Sequence, residues 1–152
     1  MEKMNLNQLP DFLNSKSSGL NSKLEKAIKL CCEKVRSDIQ YNMSHTPRDS
    51  SKNYYTNNKS IPHHPSWPYN PPAPDTGNLR ESIRYEVKNE SREIYGIVGS
   101  TQKDPPYAFY LEYGTSKMIE RPWLRPAMRQ NSEFIRSVIS KSVQGIFSGG
   151  SN

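Results

Sequence analysis

Between His45 and Pro72 no regular backbone can persist for long. Pro47, Pro62, Pro65, Pro68, Pro71 and Pro72 each remove a backbone donor and fix φ. Asn53, Asn57, Asn58 and Asn70 add turn chemistry, and Ile61 is the lone aliphatic side chain. Disordered linkers are usually poor in aromatics, yet Tyr54, Tyr55, Trp67 and Tyr69 stand here. A loop longer than about 15 residues inside a compact domain is unusual and often functional. The stretch 45–72 is therefore predicted to be an extended loop lying on another subunit. His63 and His64 have no Cys, Asp or Glu at ligand spacing, so no metal site is expected there.

Regular structure must then lie on either side. Residues 1–17 are polar, with Pro10 and a Ser-rich end, and are expected to form a flexible arm. From Leu20 the apolar residues fall at Leu24, Ala27, Ile28, Cys31, Val35, Ile39 and Met43. These steps of three and four predict one long amphipathic helix, capped at Ser18 or Asn21. After the Pro-rich stretch, Asp75-Thr76-Gly77-Asn78 predicts a helical turn or capped bend anchored by Leu79. Ile83, Tyr85 and Val87 alternate with Arg84 and Glu86, a half-buried strand. Ile94 to Val98 resumes the alternation with both faces apolar, which predicts a hairpin whose second strand is central in its sheet. Leu124, Ala127, Met128, Ile135, Val138 and Ile139 make a second helical stripe, with Pro126 suited to its first turn. Residues 148–152 read as a flexible end. The order predicts an α+β fold: helices packed on a small antiparallel sheet, in one domain over 18–147.

Only 33% of the 152 residues are apolar, with 12 Pro and 8 Gly. This is low for one fully packed globule, so partners are expected to supply missing apolar surface. The net charge of +6 favours solubility and acidic partners, DNA included, but no dense basic run accompanies it. Cys31 and Cys32 are neighbours on a predicted helix and point apart, so a bridge between them is not expected. Their use suggests a reducing compartment of synthesis. No signal peptide and no membrane span are predicted.

The most aromatic stretch runs from Tyr107 to Thr115. Tyr107, Phe109, Tyr110 and Tyr113 must find cover, in the core or against a neighbour. Asp104 before Pro105 predicts a helix start and Gly114 its stop, so a short helix is the first choice and a strand the second. Glu112 is the one charge in this run. It faces solvent, pairs with a nearby Arg, or reaches across a subunit boundary. Tyr113, Gly114, Thr115, Lys117 and Met118 belong to the same candidate interface, as do Tyr54, Tyr55, Trp67 and Tyr69. Arg121, Arg125 and Arg129 are four apart and would line one helix face. That face is either solvated and salt-bridged, or turned towards DNA. A Gly-rich phosphate loop, a GxSxG elbow, an HExxH pair and a CxxC pair are all missing from the sequence, so no catalytic residue and no cofactor are predicted.

Three segments in order carry a resemblance: Pro72-Ala73-Pro74-Asp75-Thr76-Gly77-Asn78-Leu79-Arg80-Glu81-Ser82-Ile83, then Tyr107-Ala108 with Leu111-Glu112-Tyr113-Gly114-Thr115-Ser116-Lys117-Met118, then Arg121-Pro122-Trp123-Leu124-Arg125-Pro126-Ala127. Over roughly residues 20 to 145 the chain resembles the tail-component family of lambdoid phages and prophages, small virion proteins of the tail-completion or head–tail joining type. The resemblance implies an α+β fold, no catalysis, and a six- or twelve-fold ring at the neck. It implies a head-side connector or stopper protein on one side and a tail terminator or tail-tube protein on the other. Double-stranded DNA would pass by proximity only, no membrane would be involved, and assembly would occur in the bacterial cytoplasm. A tail terminator and a non-specific nucleic-acid-binding module are the competing expectations. The segment before Pro72 departs from the family in length and aromatic content.

Overall fold

The computed structural model describes residues 9–52, 54–55, 62–90, 93–101 and 107–147. The expected helix starts at Asp104-Pro105, the terminal arm up to residue 8 and the end beyond 147 lie outside these residues. Helix α1 (Leu9–Ser44) is followed by strands β1 (Tyr54–Tyr55) and β2 (Pro62–His63), then helix α2 (Asn78–Ser82). Strands β3 (Ile83–Asn89) and β4 (Ile94–Ser100) precede helices α3 (Tyr107–Tyr113), α4 (Arg125–Gln130) and α5 (Ser132–Phe147). The fold is α+β, as the periodicities predicted. Packing divides the chain into two compact units. The first comprises Met1–Cys32, Glu86–Ile97 and Glu133–Asn152; the second comprises Glu33–Tyr85 and Val98–Ser132.

Helix α1 starts about three turns earlier than its apolar stripe indicated. The stretch 9–17, read as an irregular arm, is helical. Pro10 sits in the first turn, where its missing N–H costs nothing. The serines that follow and Gly19 lower helix propensity by less than about 1 kcal/mol each, too little to stop a helix already nucleated downstream.

The first unit has a thin core. Ala27, Cys31 and Cys32 are buried on α1, and both cysteines are thiols. Burial pushes the Cys31 thiol up from its ordinary pKa. Gly96 of β4 lies so close to α1 that an added Cβ would stand 2.2 Å from Cys32 Sγ and 2.9 Å from Ile28 Cγ2. Glycine lets strand and helix backbones approach to that distance. The β3–β4 turn is closed by Glu90 N–H donating to Glu93 O at 2.9 Å.

The second unit holds most of the core. Val35, Ile39 and Met43 of α1 and Ile83 of β3 are almost completely buried, and each such side chain contributes about 1.5–3 kcal/mol. Arg36 donates from Nε to Ile83 O at 3.1 Å, and Gln40 from Nε2 to Arg80 O at 3.0 Å. The bend before α2 turns on Gly77, whose φ of 84° suits glycine. The open end of the hairpin is tied by Thr101 N–H to Ser82 O at 3.0 Å, and by Ser82 Oγ and Ser100 Oγ at 2.7 Å.

Two expectations are corrected. β3 and β4 form a two-stranded sheet, so β4 is an edge and not central. Its second apolar face is left partly open, with Ile97 exposed. The long C-terminal stripe is broken at Asn131 into α4 and α5. Asn131 is buried, and its Nδ2 donates to Asp38 Oδ2 at 2.8 Å and Ala127 O at 2.9 Å. Burial pushes the Asp38 carboxyl up, but hydrogen bonds from Lys34 and Asn131 and the Lys34 charge hold it below the usual range. Within the Pro-rich stretch, the described residues are mostly loop but make pairings of their own. Asp49 N–H donates to Pro65 O at 2.7 Å, Arg48 bridges Ser66, and Tyr54–Tyr55 pair antiparallel with His63–Pro62. The side chains of Tyr54 and Tyr55 lie outside the described residues.

Two glycines on the first unit predict opposite outcomes. Gly19 faces open space on α1, so Gly19→Ala is expected to stabilise by about 0.5–1 kcal/mol. Gly96→Ala is expected to destabilise by at least 1–3 kcal/mol, because backbone and Cys32 must separate. Urea unfolding of both variants measures the pair.

Candidate interaction surface

The site is built around one carboxylate. Helix α3 buries Ala108, Leu111 and Glu112 and leaves its other side chains outside. Glu112 is only 3% exposed. Its Oε2 accepts from the N–H of Trp123 at 2.7 Å and of Leu124 at 2.9 Å. Its Oε1 accepts from the N–H of Arg125 at 3.0 Å and from Arg125 Nε at 2.9 Å. The next residue, Pro126, has no N–H to satisfy. Glu112 therefore caps the start of α4 from outside that helix, where an anion also meets the positive end of the helix dipole.

Arg125 completes the clasp. Its Nη2 donates to Glu112 O at 2.6 Å and to Glu120 Oε2 at 2.7 Å. Hydrogen bonds to Glu120 first, then Glu112, raise the guanidinium pKa further. Trp123 is buried and its Nε1 donates to Ala108 O at 2.9 Å, while Arg121 N–H donates to Leu111 O at 2.7 Å. The turn between acid and arginine depends on Gly114, with φ 71°. A Cβ there would stand 2.8 Å from Met118 O. Thr115 and Met118 then exchange backbone hydrogen bonds at 2.8 and 3.3 Å.

The clasp holds an aromatic surface in place. Phe109 is 59% and Tyr113 56% exposed. Their rings lie 4.8 Å apart, and the Arg125 guanidinium sits 5.0 Å from the Tyr113 ring. Tyr110 is exposed beside Phe109, with ring centroids 6.2 Å apart, and Tyr107 is exposed at the start of the helix. A second aromatic feature is the Trp67–Asn70 turn. Tyr69 is 68% exposed and holds φ at 66°, a left-handed conformation that costs a non-glycine residue about 1–2 kcal/mol. Its N–H donates to Glu120 O at 3.0 Å, which fixes this turn to the clasp.

Of the expected interface residues, Tyr113, Thr115, Lys117, Trp67 and Tyr69 are exposed, and Gly114 and Met118 are half-buried in the turn. Glu112 is turned inward, and its carboxylate accepts from Trp123, Leu124 and Arg125. Pairing with an arginine is the reading that the structure bears out. The row of Arg121, Arg125 and Arg129 does not form. Helix α4 begins at Arg125, so Arg121 stands before it, donating from Nε to Ser66 O at 3.3 Å. Arg125 faces two carboxylates, and Arg129 alone of the three is exposed. Trp123, quoted above only within the third resembling segment, is buried, and the helix-breaking Asn131 was not singled out by sequence. Among the described residues, no group of three or more His, Cys, Asp or Glu could hold a metal ion.

A family model described as "Bacteriophage HK97-gp10, putative tail-component" matches residues 7–114. The chain belongs to this HK97-gp10-like family. The match covers well over half of the sequence and ends at the glycine that terminates α3. The Arg121–Ala127 segment, which supplies the other half of the clasp, lies beyond it. No curated protein and no solved structure matches the chain. Family membership suggests a structural protein of a bacteriophage tail, present in the virion, in place of an enzyme. No helix among the described residues is long and apolar enough to cross a membrane.

The clasp predicts a large effect from one substitution. Glu112→Ala leaves Arg125 Nε and three backbone N–H groups without their acceptor, and is expected to cost about 3–5 kcal/mol. Glu81→Ala, at an exposed acid of α2, should cost under about 0.5 kcal/mol. Thermal unfolding compares the two directly.

Proposed function

We propose that this tail component acts at the head–tail junction. Copies pack side by side as a ring, most simply six- or twelve-fold, and complete the tail so that it joins the DNA-filled head. The neighbours are a head-side connector or stopper protein and a tail terminator or tail-tube protein. DNA passes by proximity, without a dedicated binding row, since Arg125 is held by Glu112 and Glu120.

The observation that carries this reading is the exposed aromatic surface of α3, fixed by a buried clasp. Closed rings of identical subunits repeat one head-to-tail contact between two different surfaces of the subunit, each held rigid. Aromatic side chains held in one conformation supply contact area at low entropic cost. The Phe109–Tyr113 pair, with ring centroids 4.8 Å apart and planes tilted by 45°, stands exposed on a seven-residue helix, as an apolar contact surface for a neighbour would.

Infection by the parent phage with this gene inactivated tests the role. The expected result is filled heads and tails of normal length that fail to join, with joining restored by adding the purified protein. Overlong tails would instead make it a terminator. Normal virion yield would contradict any essential role in the tail.

A further inference from the structure

Helices α1 and α5 line an open groove of about 330 Å³ on the first unit. Ala27 and Leu30 of α1 and Val138 of α5 give it an apolar lining, and Lys23, Lys26 and Lys141 a basic one. Lys23 precedes Ala27 by four residues, Lys26 precedes Leu30 by four, and Val138 precedes Lys141 by three, so each helix presents one face that is both apolar and basic. Leu30 is 50% exposed, and the three lysines are exposed. No acid lines the groove. Glu25 lies about 200° around α1 from Lys23 and accepts from Asn89 Nδ2 at 3.4 Å. Glu133 stands in the first turn of α5, and Lys141 follows about two turns later. Among the described residues the lysine ion pairs are those of Lys34, Lys52 and Lys88, so the three groove lysines have none.

We propose that this groove receives an acidic amphipathic helix from a different protein of the virion, with its apolar stripe on Leu30 and Val138 and its carboxylates against the three lysines. Whether copies of this chain form a ring does not bear on it. Charge selects the sign of the occupant: three cations without ion pairs around one groove attract carboxylates and repel basic partners. The apolar lining selects its kind. A nucleic-acid backbone would use the lysines and leave Leu30 in water, whereas an amphipathic helix uses both. A second copy fits poorly, since α1 and α5 both carry more basic than acidic residues. The groove also marks where the first unit lacks cover. Among its described residues the buried side chains are Ala27, Cys31 and Cys32, while Val138 and Ile139 of α5 remain half-buried. A helix laid between α1 and α5 completes that core with a few apolar side chains of its own.

Fluorescence anisotropy of the full chain with labelled peptides tests this. The probes are overlapping peptides of about 20 residues, each long enough for a helix of about 30 Å, drawn from the other head and tail proteins of the parent phage and from this chain. At least one peptide of another protein, with a helical apolar stripe flanked by Asp and Glu, is expected to bind with a Kd of about 1–100 μM. Lys26→Glu with Lys141→Glu reverses the charge, and Leu30→Asn alone polarises the lining. Each is expected to weaken binding by at least about tenfold. The substituted side chains are exposed, and circular dichroism melting verifies that each variant folds. Binding that survives either variant, or no peptide bound at all, would overturn the proposal. So would two other occupants: a peptide of this chain alone, which would make the groove a contact between copies, or a short DNA duplex held through the lysines and indifferent to Leu30→Asn.

Discussion

A carboxylate sealed from water has to be satisfied from several directions at once. Glu112 meets that demand by drawing three successive backbone N–H groups and a guanidinium onto itself. Trp123, Leu124 and Arg125 cannot move without exposing a buried charge, so the start of α4 is fixed to the end of α3. The return of the chain at Gly114, the Arg121–Leu111 hydrogen bond and the Trp123–Ala108 hydrogen bond all follow from closing that short circuit. Such an arrangement contributes little net stability compared with an apolar core of equal volume. What it contributes is definition: α3 has one orientation, and its outward aromatics have one place.

That definition accounts for an otherwise costly surface. Phe109, Tyr110, Tyr113 and Tyr69 remain outside although the chain is poor in apolar residues. Tyr69 even holds an unfavourable backbone conformation while doing so. Strain and exposure at aromatic side chains are the ground on which the ring is proposed above, and the family is one of phage tail components. The low apolar fraction noted in the sequence is thus concentrated in two places, a core along the second half of α1 and an outward aromatic face.

Much of this was legible in residue spacing. The stripe from Leu20 to Met43 gave the long helix, the alternation around Ile83 and Ile94 gave the hairpin, and Gly77 and Gly114 marked the turns that need positive φ. The pairings inside the Pro-rich stretch were not legible, because proline lacks a donor but keeps its carbonyl. Pro47 and Pro65 enter the pairing of this segment as acceptors, from Trp67 and Asp49. The split between α4 and α5 was hidden because the apolar period continues across Asn131, whose side chain satisfies the break from inside. Glu112 could be narrowed to a set of partners but not to one, since its acceptors' donors lie eleven to thirteen residues away across irregular backbone.

The central claim is that Glu112 holds the start of α4 to α3. Amide hydrogen exchange at Trp123, Leu124 and Arg125 tests it most directly, in wild type and in Glu112→Gln. Wild-type protection at these amides should match that of Ile39 and Ile83 in the core, and Glu112→Gln should lower it there by at least tenfold while the core amides of α1 keep theirs. Equal exchange at the three amides in both proteins would contradict the account.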